Sequence, residues 1–149
     1  NDSQYQYTNE IKTYNFNNEA DRGVIKEQLD QFFKLLMAKS DSVYFILPSP
    51  HGDMFRPKSI QYDLISDNRS KSAFDVEEFK QKHSEFYQYI NASSKRIGYK
   101  LLDPIKSLCS DSKCQIMKND GTPYYMDNIH MRPWYVLERI NFFDDLVLK

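Results

Sequence analysis

An acid and a histidine stand three residues apart near the end of the chain, at Asp127 and His130. Pro133 follows and begins an amphipathic pattern, so both side chains lie at the entrance of a predicted helix, close enough to share a hydrogen bond. A carboxylate in that position fixes the tautomer of the imidazole and stabilises its protonated form, which is the acid–base half of a hydrolytic triad. An Asp-x-x-His spacing is also common by chance. An ordinary surface pair is therefore the alternative to a proton-transfer site.

The two cysteines, Cys109 and Cys114, are separated by four residues. The short hydrophilic loop between them suits a local disulfide in an oxidising compartment, where the bond would pin the loop. Two free thiols are a second possibility. A zinc site completed by His130 is a third, although C-x4-C is a loose spacing for structural zinc and no second cysteine pair exists. The spacing leaves the three possibilities open.

Length and composition restrict the class of protein. A chain of 149 residues is long enough for one domain with a hydrophobic core. A net charge of −1 argues against a broad nucleic-acid-binding surface, which needs a basic excess. The 4 glycines disfavour a sheet-only fold rich in tight turns. The first residue is Asn rather than Met, so we expect a processed or excised product.

Two amphipathic helices are predicted after an irregular lead-in over residues 1–18. The first begins at Asn17 or Asn18, either of which could cap it, and has its apolar residues at three- and four-residue steps. These residues are Ile25, Leu29, Phe32, Phe33 and Leu36. The second begins at Asp75, with Glu78 three residues later as in a capping box, and runs to about Lys95. Its apolar face carries Val76, Phe79, His83, Phe86 and Ile90.

Each predicted helix is followed by a short apolar run, at residues 42–47 and 99–103. Continuous rather than alternating apolar character is typical of strands covered on both faces. Helix, strand, helix, strand predicts an α/β fold in which a parallel sheet is flanked by helices, with residues 19–149 as a single domain. Residues 58–74 are predicted to form a long loop. The terminal helix has its apolar face on Pro133, Val136, Leu137, Ile140, Phe143 and Val147.

Functional loops in α/β folds lie at the carboxyl ends of strands. We therefore expect substrate contacts from residues 48–57, which include His51, Asp53 and Arg56. An ordinary exposed loop residue is the alternative for His51. His83 lies on the apolar face of the second helix, and there a partly buried histidine with satisfied nitrogens is expected rather than a ligand.

The order of these motifs resembles the C-terminal part of an SGNH/GDSL hydrolase-type domain. The resemblance rests on strand-Pro-x-Pro, then a helix, Leu-Asp-Pro, Leu-Cys…Cys, and Gly-x-Pro-Tyr-Tyr-x-Asp-x-x-His. The closest variety is the domain fused to membrane acyltransferases that O-acylate bacterial surface polysaccharides. It covers roughly residues 24–140. Met131-Arg132 stands where Leu-Ser is usual in that family.

The resemblance implies a flavodoxin-like three-layer fold and a Ser-His-Asp mechanism. His130 would be the general base, Asp127 would orient it, and Cys109 and Cys114 would be joined. Asp103-Pro104 and the cysteine loop would frame the site. The nucleophile and oxyanion blocks of the family are not recognisable here. Asn1-Asp2-Ser3 imitates the first block, but no strand precedes it, and a frayed terminus is expected instead.

We therefore expect this chain to be the later part of such a domain, in an extracytoplasmic or periplasmic compartment. Its expected partners are an acyl ester of a carbohydrate and the membrane acyltransferase domain of the parent protein, without nucleic acid. The mechanism implies neither metal nor organic cofactor. The alternative is a non-catalytic glycan- or protein-binding module that uses Trp134 and the 11 tyrosines. A cytosolic interaction domain with reduced thiols is a third hypothesis.

Overall fold

The computed structural model describes residues 6–8, 13–16, 18–65, 73–110, 112–141 and 143–144. The helices are α1 Glu19–Met37, α2 Pro57–Ile65, α3 Val76–Lys82, α4 Ser84–Ile97, α5 Ile105–Leu108 and α6 Pro133–Arg139. The strands are β1 Gln6–Thr8, β2 Thr13–Asn15, β3 Tyr44–Ile46, β4 Ala73–Asp75, β5 Lys100–Leu102 and β6 Lys113–Gln115. The Asn1-Asp2-Ser3 block, Asn17 and Val147 lie outside the described residues.

The described strands form three two-stranded pairs. β3 and β5 are the two strands predicted from sequence. Their bonds run in parallel register, since the N–H of Lys100 donates to Val43 O at 2.9 Å and the N–H of Leu47 donates to Leu102 O at 2.8 Å. The α/β class and a parallel pair are thus confirmed. Among the described residues this pair does not extend into a three-layer sheet.

The other two strand pairs were not expected. β4 and β6 pair antiparallel, and so do β1 and β2, which lie in the lead-in predicted to be irregular. Each of these strands has three residues. Three residues are too few to reveal an alternating pattern, which explains why sequence periodicity did not find them.

The chain divides into two compact units. The first comprises residues 1–45 and 85–101, and the second comprises residues 46–84 and 102–149. In the first unit Phe33 of α1 is buried; its ring stacks on Tyr99 at 4.0 Å and meets Phe45 edge-on at 5.5 Å. Aromatic packing between α1 and the chain around β3 and β5 therefore forms the core of this unit.

Helices α1 and α4 are also joined by a polar cluster around Asp30. The Ser93 hydroxyl donates to Asp30 Oδ1 at 2.6 Å, the Tyr89 hydroxyl lies 3.0 Å from the same atom, and Arg96 pairs with the carboxylate. Burial alone raises the pKa of Asp30, but the bonds from Ser93 and Tyr89 and the charge of Arg96 bring it below its usual value. The cluster holds Asp30 ionised and fixes one helix against the other.

The start of α1 agrees with its prediction, since the Asn18 side chain accepts a hydrogen bond from the N–H of Ala20 at 3.0 Å. The predicted burial of Phe32 is wrong, because 52% of it is exposed. Successive residues in a helix point 100° apart, so Phe32 and Phe33 cannot both centre on the packed face. The structure buries Phe33.

The second predicted helix is two helices, α3 and α4, separated at His83, where φ is −105° and ψ is 17°. Asp75 caps α3 as predicted, with Oδ1 accepting from the N–H of Glu77 and of Glu78 at 2.8 and 3.0 Å. All five residues of the predicted apolar face are buried. Neither Gly nor Pro lies at the break, so local sequence gave no signal for it.

Two further elements differ from their predictions. Residues 58–74, predicted to be a loop, include most of α2, which begins at Pro57, where the missing N–H costs nothing. α2 packs through Ile60, which is buried. α6 begins at Pro133 as predicted but ends at Arg139, and Leu137 is 86% exposed rather than part of a buried face.

Candidate acid–base site

Asp127 organises a tight turn that ends at His130. One carboxylate oxygen, Oδ1, accepts hydrogen bonds from the N–H groups of Ile129 and His130, both at 2.7 Å. The other oxygen, Oδ2, lies 2.7 Å from Nδ1 of the His130 imidazole. The sequence prediction that these two side chains can share a hydrogen bond is therefore confirmed, whereas their catalytic role remains a prediction.

The three hydrogen bonds favour the charged form of the carboxylate. The backbone N–H of His130 contributes most, followed by its imidazole and by the N–H of Ile129, and together they lower the pKa of Asp127 to about 2. At neutral pH the carboxylate is ionised, so this hydrogen-bond pattern assigns the proton of a neutral imidazole to Nδ1. Nε2 is then the nitrogen with a free lone pair.

Both side chains are accessible, with 69% of the His130 side chain and 48% of the Asp127 side chain exposed. Met126 and Ile129, which flank the acid, are exposed apolar residues. A base held in this way can accept a proton from a hydroxyl group brought to Nε2. For acyl transfer through an acyl-serine, a serine hydroxyl must be supplied to this base.

Backbone hydrogen bonds close the turn on both sides. The N–H of Met126 donates to His130 O at 2.8 Å, and Tyr125 and Met131 form a β-bridge. One step further out, the N–H of Arg132 donates to Tyr124 O at 2.9 Å. The acid and the histidine thus lie at the tip of a narrow loop whose base is fixed.

The segment predicted to contact substrate, residues 48–57, is hydrogen-bonded to this loop within the second unit. Tyr125 is buried, and its hydroxyl donates to Pro50 O at 2.7 Å. The N–H of Gly52 donates to Asn128 O at 2.9 Å. Sequence reasoning missed both links. The sequence signals for these links were Gly52, which follows His51, and the pair Tyr124-Tyr125 before Asp127. In the structure Gly52 has a φ of +139°.

The titratable side chains in the segment 48–57 make contacts with residues close to them in the fold. His51 Nδ1 lies 2.7 Å from Ser49 O, and its ring meets Phe79 edge-on at 5.3 Å. Arg56 and Asp53 pair with each other at 3.1 Å. Their expected contact with substrate remains a prediction.

His83 is buried in the second unit, as predicted, and its ring packs against Phe79 at 4.6 Å. Within the described ranges, no three His, Cys, Asp or Glu side chains are grouped so that they could hold a metal ion.

Cys109 and Cys114 form a disulfide. This confirms the first of the three possibilities for the pair; the free thiols and the zinc site with His130 are wrong, and so is the hypothesis of a domain with reduced thiols. Just before the cysteines, Asp103 Oδ1 accepts from the N–H of Ile105, the first residue of α5, at 3.1 Å. Whether this region frames the acid–base site remains a prediction.

The chain was compared with family models, with curated proteins and with solved structures. A family model described as "SGNH domain (fused to AT3 domains)" matches residues 2–137. No curated protein matches the chain significantly, and no solved structure does. No helix in the described part of the chain is both long and apolar enough to cross a bilayer.

Proposed function

Since the chain belongs to the family of SGNH domains fused to AT3 domains, we propose that it serves a membrane acyltransferase as the domain that transfers or hydrolyses an acyl ester on a carbohydrate. The fusion that defines the family supports a membrane acyltransferase domain in the parent protein. The disulfide supports an extracytoplasmic, periplasmic location, because such bonds persist in oxidising compartments. We further propose that the parallel pair β3–β5 belongs to a three-layer SGNH sheet.

In the proposed mechanism a serine hydroxyl attacks the acyl carbonyl while Nε2 of His130 takes the hydroxyl proton. The ionised Asp127, 2.7 Å from Nδ1, stabilises the imidazolium that forms. The imidazolium then returns the proton to the departing sugar oxygen, which leaves an acyl-serine. A sugar hydroxyl or a water molecule, deprotonated by His130, releases the acyl group in the second half of the reaction.

The hydrogen bond between Asp127 and His130 is the observation that carries this proposal. This bond orients an exposed imidazole and places an ionised acid next to its Nδ1. A surface pair that arose by chance would not need this orientation. The nucleophile, by contrast, is proposed to lie outside this chain. The chain alone should then have little or no esterase activity, because a site without nucleophile and oxyanion donors loses orders of magnitude in rate.

Hydrolysis of p-nitrophenyl acetate by the parent protein tests the assignment. His130→Ala should lower kcat about 10⁴-fold or more, and Asp127→Asn about 10³- to 10⁴-fold. Asp41→Asn, which removes an exposed acid outside the turn, is the matched control and should leave the rate unchanged. Unchanged rates in both turn variants would reject the roles given to Asp127 and His130. Full activity of the chain alone would reject the placement of the serine.

The alternative of a non-catalytic glycan-binding module depends on free aromatic faces. The ammonium of Lys118 lies 3.9 Å from the centre of the Trp134 ring, and the Tyr124 and Tyr135 rings stack on each other at 4.1 Å. These contacts already occupy faces on which a sugar ring would stack. The occupied aromatic faces weaken the glycan-binding alternative, whereas the exposed and oriented imidazole of His130 favours the enzymatic proposal.

A further inference from the structure

A pocket of about 110 Å³ opens beside the disulfide in the second unit, and neither Asp127 nor His130 lines it. Ligand sites for drug-sized molecules have volumes of about 300–1,000 Å³, so this pocket suits a single functional group rather than a whole substrate. The residues that matter for its chemistry are Ser107, Ser110, Gln115, Tyr135 and Arg139.

Arg139 sets the electrostatic character of the pocket. It is the sole charged side chain among the described residues that line it, and no acid shares the lining. Within the part of the chain that the structure describes, its guanidinium has no ion-pair partner. A guanidinium presents a planar fork of N–H donors that matches the two oxygens of a carboxylate.

The neutral side chains of the lining add donors and no negative charge. The hydroxyl groups of Ser107 and Ser110 make no hydrogen bond to any described residue. The amide oxygen of Gln115 already accepts from the Tyr124 hydroxyl at 3.3 Å, which leaves the two amide N–H donors of Gln115. Burial raises the pKa of Tyr135 to about 12, so its phenol stays neutral and does not repel an anion.

The walls of the pocket are held before any ligand arrives. The Tyr124 and Tyr135 rings stack with an angle of 20° between their planes. The Tyr135 hydroxyl donates to Leu108 O at 3.3 Å, and the disulfide fixes Cys109. A preformed arrangement of donors loses little conformational entropy on binding, which favours affinity even for a small ligand.

We propose that this pocket binds one carboxylate group, carried by a small organic acid or by an acidic sugar. A single guanidinium balances the single charge of a carboxylate. A phosphate dianion would leave one negative charge without a counter-charge among the residues that line the pocket. The proposal does not depend on the catalytic role of Asp127 and His130.

The experiment is a titration of the isotopically labelled chain with sodium glucuronate at constant ionic strength, followed by NMR. The backbone amides of Ser110 and Arg139 should shift saturably, whereas glucose, the neutral counterpart, should leave them unmoved. Arg139→Gln should weaken glucuronate binding about tenfold or more, since it removes charge-assisted hydrogen bonds. Lys106→Gln, which removes a nearby cation that does not line the pocket, should change the affinity less than about twofold.

Acetate separates the two sources of the carboxylate. Equal affinity for acetate and glucuronate identifies a free organic acid as the ligand class, and tighter binding of glucuronate identifies an acidic sugar. Tighter binding of phosphate or sulfate than of either carboxylate would overturn the proposal. Equal affinity of the wild type and of a folded Arg139→Gln variant for glucuronate would also overturn the proposal. Ser110→Ala provides a second variant of the pocket lining for the same comparison.

Discussion

The Asp127 carboxylate accepts three hydrogen bonds from a segment of four residues, two at Oδ1 and one at Oδ2. Two of the donors are backbone N–H groups, so the acid shapes the turn as well as orienting the imidazole. A substitution at Asp127 therefore changes both the geometry of the loop tip and the electrostatics behind His130. Asparagine retains an oxygen for the backbone bonds and removes the charge, which makes it the informative replacement.

The pKa of Asp127, lowered to about 2 from an ordinary 3.8, gives a prediction with a definite sign. The contribution of these bonds to the free energy of unfolding should be fully present above pH 3.8 and be lost as the pH falls through 2. His130→Ala should raise this pKa only part of the way to 3.8, because the two backbone donors remain. NMR titration of the carboxyl carbon measures both values.

His51→Ala is the control for that titration, since His51 is bonded to Ser49 rather than to Asp127. It should leave the pKa of Asp127 near 2. An ordinary pKa for Asp127 in the wild type would contradict the turn described here.

Tyr125 gives a second prediction at the residue scale. Tyr125→Phe removes a buried hydroxyl and leaves Pro50 O without its donor, which should lower the free energy of unfolding by about 1–2 kcal/mol. Urea denaturation measures the loss. Tyr44→Phe, at a less buried ring, should stay within about 0.5 kcal/mol of the wild type; equal losses in the two variants would refute a special role for the bond to Pro50.

At the scale of elements, α1 offers neighbouring phenylalanines with opposite environments. Phe33 is 3% exposed and Phe32 is 52% exposed. Phe33→Ala should lower the free energy of unfolding by about 3–5 kcal/mol, because it leaves a cavity between Tyr99 and Phe45. Phe32→Ala should change it by less than about 1 kcal/mol. Chemical denaturation of both variants would contradict the assignment if Phe32→Ala were the more damaging.

Sequence patterns predicted the elements that have strong local signals. The caps at Asn18 and Asp75, the end of α4 within two residues of Lys95 and the start of α6 at Pro133 follow from side-chain chemistry and from backbone constraints within a few residues. Gly98, with a φ of +101°, stops the helix where most other residues would be strained.

The elements that were missed depend on contacts distant in sequence. α2 packs through Ile60 and is preceded by the buried Phe55, but its polar composition concealed it. The break at His83 has no Gly or Pro to announce it. β4 and β6 are only three residues long, and the two strands pair with each other across about forty residues of sequence.

The candidate site was partly predictable for the same reason. The Asp127–His130 pair is local, so its spacing announced the hydrogen bond. The link between residues 48–57 and this pair could be expected only from the rule about strand ends, and its donors, Gly52 and Tyr125, were not foreseen. The pocket beside the disulfide draws on residues from Ser107 to Arg139, and no spacing rule gathers them.

At the scale of the whole molecule, the disulfide makes a small but measurable contribution. Closing a ring of six residues restricts the unfolded chain and should stabilise the fold by about 2 kcal/mol. The double variant Cys109→Ser/Cys114→Ser should lose about that amount in urea denaturation. Treatment of the wild type with a reducing agent should give the same loss and should not shift the double variant. A loss in the double variant under reducing conditions would point to a cause other than the bond.

The same disulfide bears on how the chain reaches its oxidised form. With two cysteines in 149 residues, an isolated chain has one possible internal pairing, so a monomer cannot form a non-native internal disulfide that would need isomerisation. The two cysteines are five positions apart in the sequence, so they can form their bond as soon as this short segment has left the ribosome. Errors of oxidation would therefore take the form of covalent links between two copies, and their frequency should rise with protein concentration rather than with folding time.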